Sequence, residues 1–382
     1  MNESPSLRRI ALALFLCVFA AQASLIALAP VLASVAAEFD VSTAEAGQLR
    51  TVVGLAAGLA SLAVPAAARR LGLRRLLVTG AVLSAAGSLG SAAAPTLATL
   101  ALAQVLIGFG ASLLVAASTV AAAYWVPVQS RGRVLAWALV GSPSAWIVGM
   151  PALGVLGTVS WRLGWLALPL SASLAALLVL VSATFPREAG EDGGGGVRLA
   201  LGDPVLRRWL LGELAANTAW LGTLVYAGAF FTQTYGISSS ATGGVLALAA
   251  AAFALGNFLF RRVVAGVSAS AVVRLAWGMA LLVGLFGALR PTPAVSAGLL
   301  AAASFLGGGR TLLGNAYGLA ADAERRLVGM SARAAANQFG SFAGSAAAGA
   351  AISAGGYTAF GVVLGIVFAL STLPFIRQPA TA

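Results

Sequence analysis

The chain has 382 residues, of which 60% are hydrophobic and 9% charged, and its mean hydropathy is +0.95. Soluble domains carry roughly 25% charged residues, so this composition excludes a fold that faces mainly water and predicts one that lies in a membrane. The sequence contains no histidine and no lysine, and its single cysteine, Cys17, lies in an apolar run. These features exclude a Ser-His-Asp triad, a Schiff-base lysine and a zinc cluster, so we predict neither an enzyme nor a cofactor.

All 23 basic residues are arginine, and with 11 acidic residues they give a net charge of +12 and an isoelectric point near 11.5. In a soluble protein this charge would suggest a nucleic-acid partner. Here the arginines lie between apolar runs rather than in one patch. We therefore expect no nucleic acid and interpret the charge as a consequence of membrane topology.

Twelve mostly apolar runs follow one another along the chain, each with about the 20 residues that a membrane-spanning helix requires. The first run follows Arg8 and Arg9. Ala21-Gln22-Ala23 resembles a signal-peptidase site, but the run continues to Leu32, which predicts an uncleaved first span. The predicted spans are 10–32, 45–67, 75–94, 97–123, 133–157, 163–184, 206–233, 240–260, 271–289, 294–319, 330–353 and 357–376.

Arginine is distributed unevenly between the two sides that these spans define. With the N-terminus in the cytoplasm, 19 arginines fall in cytoplasmic segments, whereas only Arg162 and Arg290 fall in outer loops. This bias predicts a multi-pass protein of the cytoplasmic (inner) membrane with both termini in the cytoplasm. The glycine run Gly193–Gly196 predicts a flexible linker over 186–205, between an N-terminal six-helix bundle (1–185) and a C-terminal one (206–382).

Landmarks recur between the two halves at similar offsets. The basic pair at Arg69 recurs at Arg261, 192 residues later, and Trp161 is followed 196 residues later by Tyr357. This pattern indicates a duplicated six-helix unit. In transporters built from repeats the substrate site lies between the halves, near the middle of the membrane.

Four segments carry motifs. They are Ala68-Arg69-Arg70-Leu71-Gly72-Leu73-Arg74-Arg75; Ala94-Pro95 through Gln104-Val105-Leu106-Ile107-Gly108 to Ser130-Arg131-Gly132-Arg133; Gly149-Met150-Pro151-Ala152-Leu153-Gly154 with Ser160-Trp161-Arg162; and Glu324-Arg325-Arg326 through Met330-Ser331-Ala332 to Ala336-Asn337-Gln338-Phe339-Gly340. With them the chain resembles the major facilitator superfamily over nearly its whole length, and within it the twelve-span drug and sugar efflux group. The first segment lies where that family has Gly-x-x-x-Asp-Arg-x-Gly-Arg-Arg, and the third resembles the efflux group's Gly-x-Pro-x-Gly stretch.

The resemblance implies an all-α integral membrane protein with twelve transmembrane helices in two pseudo-symmetric six-helix bundles. It also implies a small-molecule substrate and action as a monomer in the lipid bilayer. Two family residues are replaced, because Arg69 stands at the loop Asp position and Gln104 at the position of the span-four Arg that assists proton coupling. Whether protons couple transport in this protein therefore stays open.

Arg310 and Glu213 are the charged residues predicted deepest in the spans, where charge is costly and usually functional. Arg310 follows three glycines near the middle of span ten. We favour an anion or dipole clamp in the cavity over a structural pair to carbonyls or an acid. For Glu213 two roles stay open: a proton carrier that couples transport, and an interfacial acid near a helix N-terminus.

Polar and aromatic residues of several spans are candidates for the cavity lining. The resemblance implies that Gln22, Asn217, Asn315 and Asn337 line the cavity, and each of them could instead bond to a neighbouring helix. Aromatic candidates for apolar walls are Trp137, Trp146, Trp220 and Tyr226, for which ordinary packing is the alternative.

Candidate coupling or gating residues fall in three places. Arg50, near the outer end of span two, is expected either to pair or to contact an outer gate. Gly149 and Pro151 predict close packing while the halves rock, or simply a kinked helix. The resemblance implies that the loop after span two gates the cytoplasmic face, through Arg69, Arg70, Gly72 and Arg74.

These observations predict a secondary active transporter that moves a small organic solute by alternating access. We favour efflux of a drug-like or sugar-like compound. The alternative is an importer or facilitator of a small organic anion anchored by Arg310. A membrane sensor or scaffold would need a sizeable soluble domain, and the predicted linker is the longest polar stretch.

Overall fold

The computed structural model of the chain describes residues 5–186, 201–318 and 323–376. Within these ranges the structure is helical and contains no strand. The glycine run and most of the predicted linker lie outside the described residues. The predicted domain boundaries at 185 and 206 therefore stay predictions.

Within residues 5–186 the structure describes eight helices. The first span is broken by a short 3₁₀ turn at Ala29–Val31, where Pro30 lacks the N–H that a continuous helix needs. The sixth span contains a π turn at Leu166–Leu170 that includes Pro169. The helices are α1 (Pro5–Ile26), α2 (Leu32–Glu38), α3 (Thr43–Leu71), α4 (Leu73–Ala93), α5 (Leu97–Trp125), α6 (Val128–Val159), α7 (Trp161–Trp165) and α8 (Ser171–Ser182).

The second half repeats this succession. The helices are α9 (Pro204–Tyr235), α10 (Ser239–Phe260), α11 (Ala269–Ala288), α12 (Pro293–Gly318), α13 (Ala323–Leu370) and α14 (Leu373–Ile376). α13 consists of two helices, because Gly355 and Gly356 leave the helical conformation and Gly356 has a φ of +62°. A positive φ is easily adopted by glycine, so this pair ends one span and begins the next.

The helices account for the predicted twelve crossings. Ten described stretches are long and apolar enough to span a membrane, and one of them, 332–375, contains the break at Gly355 and so crosses twice. α12 adds the twelfth. Its 26 residues correspond to about 39 Å of helix, although Arg310 and the glycines before it lower its hydropathy. The predicted all-helical fold is confirmed.

Local sequence explains where several helices begin. Ser42 caps α3: its Oγ accepts from the Glu45 N–H at 3.1 Å, while Glu45 Oε2 accepts from the Ser42 N–H at 2.8 Å. Asp203 caps α9 by accepting from the N–H groups of Val205 and Leu206. These caps satisfy backbone donors that the first helical turn leaves unpaired.

Packing within each half follows the same scheme. α1 packs against α6 as α9 packs against α13, α3 against α5 as α10 against α12, and α4 against α5 as α11 against α12. The duplication indicated by the sequence landmarks is therefore visible in the neighbours of each helix.

The α9 helix also contributes Phe230 to an aromatic cluster, with ring centroids 4.2 Å from Phe286 and 5.0 Å from Tyr357.

The two halves meet at the end of the molecule that holds the Ala29–Val31 turn, here called the closed end. α3 packs against α13, and α6 against α10. Glycines allow the backbones to touch: a Cβ on Gly54 would lie 2.5 Å from the Phe342 nitrogen, and one on Gly154 2.5 Å from the Ser239 carbonyl oxygen. Small residues permit such close packing between helices in lipid.

The same helix faces separate toward the opposite end, here called the open end. The glycines of α3 that meet the partner half, Gly47, Gly54 and Gly58, lie in the closed-end part of the helix. Ile147, two turns before Gly154 on α6, is 38% exposed. Because helical residues seven apart lie on one face, this side chain belongs to the stripe that touches the partner half at the closed end. The halves therefore diverge toward the open end.

Candidate functional site

A buried carboxylate on α9 is held by two arginines from other helices. Glu213 is fully buried, and its Oε1 lies 2.7 Å from Nη1 of Arg310 on α12. Its Oε2 accepts a hydrogen bond from Nε of Arg333 on α13 at 3.3 Å. Arg310 also donates from Nη2 to the Gly212 carbonyl at 3.3 Å. We call Glu213, Arg310 and Arg333 the charge cluster.

The three helices bring these residues to one depth. Glu213, Arg310 and Arg333 lie roughly 12–15 Å along their helices from the open end, at 1.5 Å per residue. The predicted span seven begins at 206, two residues after the start of α9, so the sequence places Glu213 slightly nearer the membrane surface than the structure does. For Arg310 the structure shows the alternative arrangement, a pair to an acid and to a carbonyl.

Arg333 was missed as a site residue. The sequence places it among the arginines of a cytoplasmic connection, but α13 begins ten residues earlier, so Arg333 lies inside the helix. The only available signal was its position four residues before Asn337, one helical turn from a predicted lining residue. Asn337 is half-buried on α13.

A small cavity of about 10 Å³ adjoins the charge cluster, and that volume holds about one water molecule. Asn217, Trp220 and Arg310 line it, so the structure brings together three predicted site residues. Trp220 stacks on Phe253 with ring centroids 6.4 Å apart. The side-chain oxygen of Asn315 and the side-chain nitrogen of Asn217 are buried without a hydrogen-bond partner in the described structure.

In the N-terminal half the structure brings Gln22 and Trp146 together. The indole Nε1 of Trp146 donates to Gln22 Oε1 at 3.3 Å, which joins α6 to α1. Trp137 lies apart from them. It is 52% exposed and shares an exposed face of α6 with Val148 and Val155, so it lies on the outer surface of the bundle, where lipid is expected.

Tyr226 lies at the closed end rather than in a cavity. It is fully buried, and its hydroxyl donates to the Ala44 carbonyl of the other half at 3.1 Å. Gln233 extends this contact between halves: its Nε2 donates to Thr43 Oγ1 at 2.7 Å, and its Oε1 accepts from the Tyr357 hydroxyl at 2.7 Å.

Arg50 also reaches across the closed end. Its Nη2 donates to Ser341 Oγ on α13 at 3.4 Å. The structure thus places the guanidinium on the partner half, at the contact between α3 and α13. This placement agrees with a role in the outer gate, and that role stays a prediction.

The predicted small-residue stretch of α6 divides between two surfaces. A Cβ on Gly149 would meet Leu168 and Ile26 of its own half, and Pro151 follows on the same helix. The contact with the other half is instead made by Gly154, which lies against Gly243 of α10. Gly154 and the Met150 carbonyl thus lie at the interface with α10, whereas Gly149 packs within its own half, and the gating role of Gly149 and Pro151 stays a prediction.

The loop after α3 is a tight turn. Gly72 has φ +80° and ψ +154°, a conformation that other residues adopt rarely, and it is the single residue between α3 and α4. Arg74 donates from Nε and Nη2 to the carbonyls of Leu180 and Val181, each at 3.0 Å, and so ties α4 to α8. Arg69 and Arg70 are exposed at the open end.

Gln104 occupies the position where the resembling family has an arginine. It is buried, and its Nε2 donates to Ser91 Oγ on α4 at 2.9 Å. The side chain is therefore used within its own half. In the described part of the chain, no group of three or more acidic, cysteine or histidine side chains could hold a metal ion.

Comparison with known proteins agrees with this architecture. A curated relative, a multidrug resistance protein B homolog of Mycobacterium tuberculosis, is 31% identical over 237 residues, which is 57% of this chain and 39% of the relative. The chain thus spans about two fifths of the length of this relative. The activity of the whole relative is therefore not assigned to this chain.

Solved transporters share the fold at low identity. A bacterial homolog of the human lysosomal transporter Spinster, inward-facing and unoccupied, matches with a TM-score of 0.76 at 14% identity over 100% of both chains. A D-xylose-proton symporter matches with 0.77 at 16%, over 97% of this chain and 98% of its own. A nucleoside transporter, NupG, matches with 0.77 at 13%, over 98% and 100%.

The family follows from the sequence profile together with this fold. The profile of the Major Facilitator Superfamily matches residues 14–321, which is most of the chain. The twelve crossings and the repeated packing within the two halves are what the family resemblance implied. The chain is a multi-pass membrane transporter, not an enzyme, and it belongs to the major facilitator superfamily.

Proposed function

We propose that the protein exports an amphipathic organic solute across the cytoplasmic membrane by alternating access. The observation that carries this proposal is the divergence of the two halves. They touch backbone to backbone at the closed end and separate toward the open end, so that rocking about the α3–α13 and α6–α10 contacts would exchange the two openings.

The arginine asymmetry supports the orientation that we propose, with both termini in the cytoplasm and the open end facing it. In that orientation the solute enters from the cytoplasm, toward Gln22 and Trp146 in one half and Trp220 and the charge cluster in the other. Each half carries its own site residues, so we propose that the monomer is the functional unit.

The export direction is supported by the multidrug resistance relative. Aromatic and amide side chains in both halves suit a mainly apolar solute with few polar groups. Import of an anion anchored by Arg310 has less support, because this guanidinium is already paired with Glu213 and Gly212.

Proton coupling has less support than export itself. The loop Asp and the span-four Arg of the family are replaced by Arg69 and Gln104. Glu213 remains the candidate carrier, but neutralising its carboxylate would leave two guanidiniums in the charge cluster without a counter-charge. Its geometry favours a positioning role.

Two neighbouring glycines of α10 provide the test. A Cβ on Gly243 would lie 2.4 Å from the Met150 carbonyl oxygen, whereas one on Gly244 meets nothing within 4 Å. Leucine at Gly243 should therefore block closure of the closed end, and leucine at Gly244 should not. The assay is accumulation of the neutral fluorescent probe phenylnaphthylamine in cells that lack their own efflux pumps.

We expect the native chain and Gly244→Leu to lower accumulation, and Gly243→Leu, expressed at equal level, to return it to that of cells without the transporter. Accumulation that is unchanged by the native chain, or lowered equally by Gly243→Leu, would contradict the proposal.

A further inference from the structure

The charge cluster carries one more positive charge than negative. It contains two guanidiniums and one carboxylate, and the side chains of Glu213, Arg310 and Arg333 are 0%, 4% and 24% exposed. Among the side chains described in the C-terminal half, Asp203 provides the other carboxylate, and it caps the start of α9. The excess positive charge of the cluster therefore has no nearby counter-charge in the described structure.

The two arginines differ in what can reach them. Arg310 is enclosed: Glu213 and the Gly212 carbonyl occupy its terminal nitrogens, and the cavity beside it holds about one water molecule. Arg333 contacts Glu213 through Nε and keeps a quarter of its side chain exposed. The accessible part of the excess charge is therefore on Arg333.

The exposed part of Arg333 is expected to face the interior opening. Charged side chains at this depth face a bundle interior or a water-filled cleft, because exposure to hydrocarbon is costly. Arg333 projects toward α9, the helix that also carries Asn217 and Trp220. An entering solute would thus meet this guanidinium next to an aromatic surface.

We propose that Arg333 binds the anionic group of the transported solute, and that Glu213 and Arg310 are positioning residues that fix its guanidinium. The proposal rests on the proposed export function and names its substrate class: amphipathic organic anions with a carboxylate, sulfonate or phosphate. A guanidinium engaged through Nε still offers its two terminal nitrogens as a fork that matches two oxygens of such a group.

Two probes that differ only by the charged group test this proposal. Anilinonaphthalene sulfonate and phenylnaphthylamine share the same aromatic body, and only the first carries a sulfonate. Binding of each is measured by fluorescence on the full chain in detergent, as native protein, Arg333→Gln, Arg333→Lys and the control Arg274→Gln. Arg274 is exposed on α11, where its Nε donates to the Ser270 carbonyl of its own helix.

We expect the native chain to prefer the sulfonate, and Arg333→Gln to weaken its binding roughly 10- to 100-fold, the range for a charged hydrogen-bond pair. Phenylnaphthylamine affinity should change less than about twofold, because an apolar body gains little from the guanidinium. Arg333→Lys should retain part of the preference, since it keeps the charge but loses the fork. Arg274→Gln should bind both probes as the native chain does.

Three results would overturn the proposal: no preference of the native chain for the sulfonate, equal weakening of both probes by Arg333→Gln, or equal loss in Arg274→Gln. Export itself is judged separately. If cells that express the native chain still export phenylnaphthylamine while the preference for the sulfonate is absent, the anion anchor fails and the export function stands. If Gly243→Leu exports normally while the preference is present, the export proposal fails and the anion anchor stands.

Discussion

The ion pair between Glu213 and Arg310 should stabilise the C-terminal half strongly, and Glu213→Gln tests this. Both side chains are nearly inaccessible and their charged atoms lie 2.7 Å apart. Charge centres about 4 Å apart attract by about 4 kcal/mol at an effective dielectric constant near 20. Removing one partner of a buried pair typically costs about 3–5 kcal/mol, because the other charge stays buried.

We therefore expect Glu213→Gln to lower the apparent melting temperature in detergent by roughly 6–10 °C, at about 2 °C per kcal/mol for a large chain. Intrinsic tryptophan fluorescence during heating measures this shift in melting temperature. Arg310→Gln should cost less, because Glu213 keeps Arg333 at 3.3 Å. The double variant should be less destabilised than the sum of the single variants by about 2–3 kcal/mol.

A chemically identical substitution serves as the control. Glu38 pairs with Arg162, but these side chains are 43% and 30% exposed, and exposed ion pairs contribute only about 0–1 kcal/mol. Glu38→Gln should thus shift the melting temperature by less than about 2 °C. The reasoning is refuted if Glu213→Gln shifts it no more than Glu38→Gln does, or if the Glu213 and Arg310 variants prove additive.

Two further outcomes are expected. Gly72→Ala should destabilise the chain by about 1–3 kcal/mol, because Gly72 has a φ of +80°. The control Gly202→Ala, at a glycine with open space around it, should change the melting temperature little. Equal shifts of the melting temperature in the two variants would contradict this prediction. In proteoliposomes with a potassium diffusion potential of about 100 mV, outward flux of anilinonaphthalene sulfonate should respond to the potential. This potential is worth about 2.3 kcal/mol per charge, which corresponds to roughly a 50-fold concentration gradient of the anion. Phenylnaphthylamine flux should not respond, and an anion flux that ignores the potential would contradict a net movement of one charge.

The membrane fold could be predicted from sequence because lipid imposes simple rules on length and hydropathy. The twelve crossings follow from apolar runs and from the arginines between them. Span ends were less accurate where helices extend past their apolar core, as α13 does. The predicted span begins at 330, whereas α13 begins at Ala323, so Arg333 lies deeper in the helix than the sequence indicates.

The candidate site was less predictable, because side-chain partners depend on how helices rotate against one another. Spacing placed Gln22 and Trp146 in the correct half, but no periodicity could show that they bond to each other. Trp137 carries the same side chain as Trp146 and lies on an outer face of the same helix. Gly54 and Gly58 have the small-residue spacing of helix contacts in lipid and both meet α13, although neither was predicted as a contact residue.

The charge cluster and the replaced family residues lead to one argument about coupling. Gln104 bonds to Ser91 within its half, and Arg69 is an exposed base where the family has an acid, so neither can hold a proton in a relay. Among the described residues, the buried carboxylate is that of Glu213, and it contacts two guanidiniums. For an anionic solute the membrane potential supplies a driving force without a proton relay, because an inside-negative potential expels the anion directly. The excess positive charge at Arg333 and the replaced coupling residues are then two aspects of the same proposed mechanism, in which the solute carries the charge that moves.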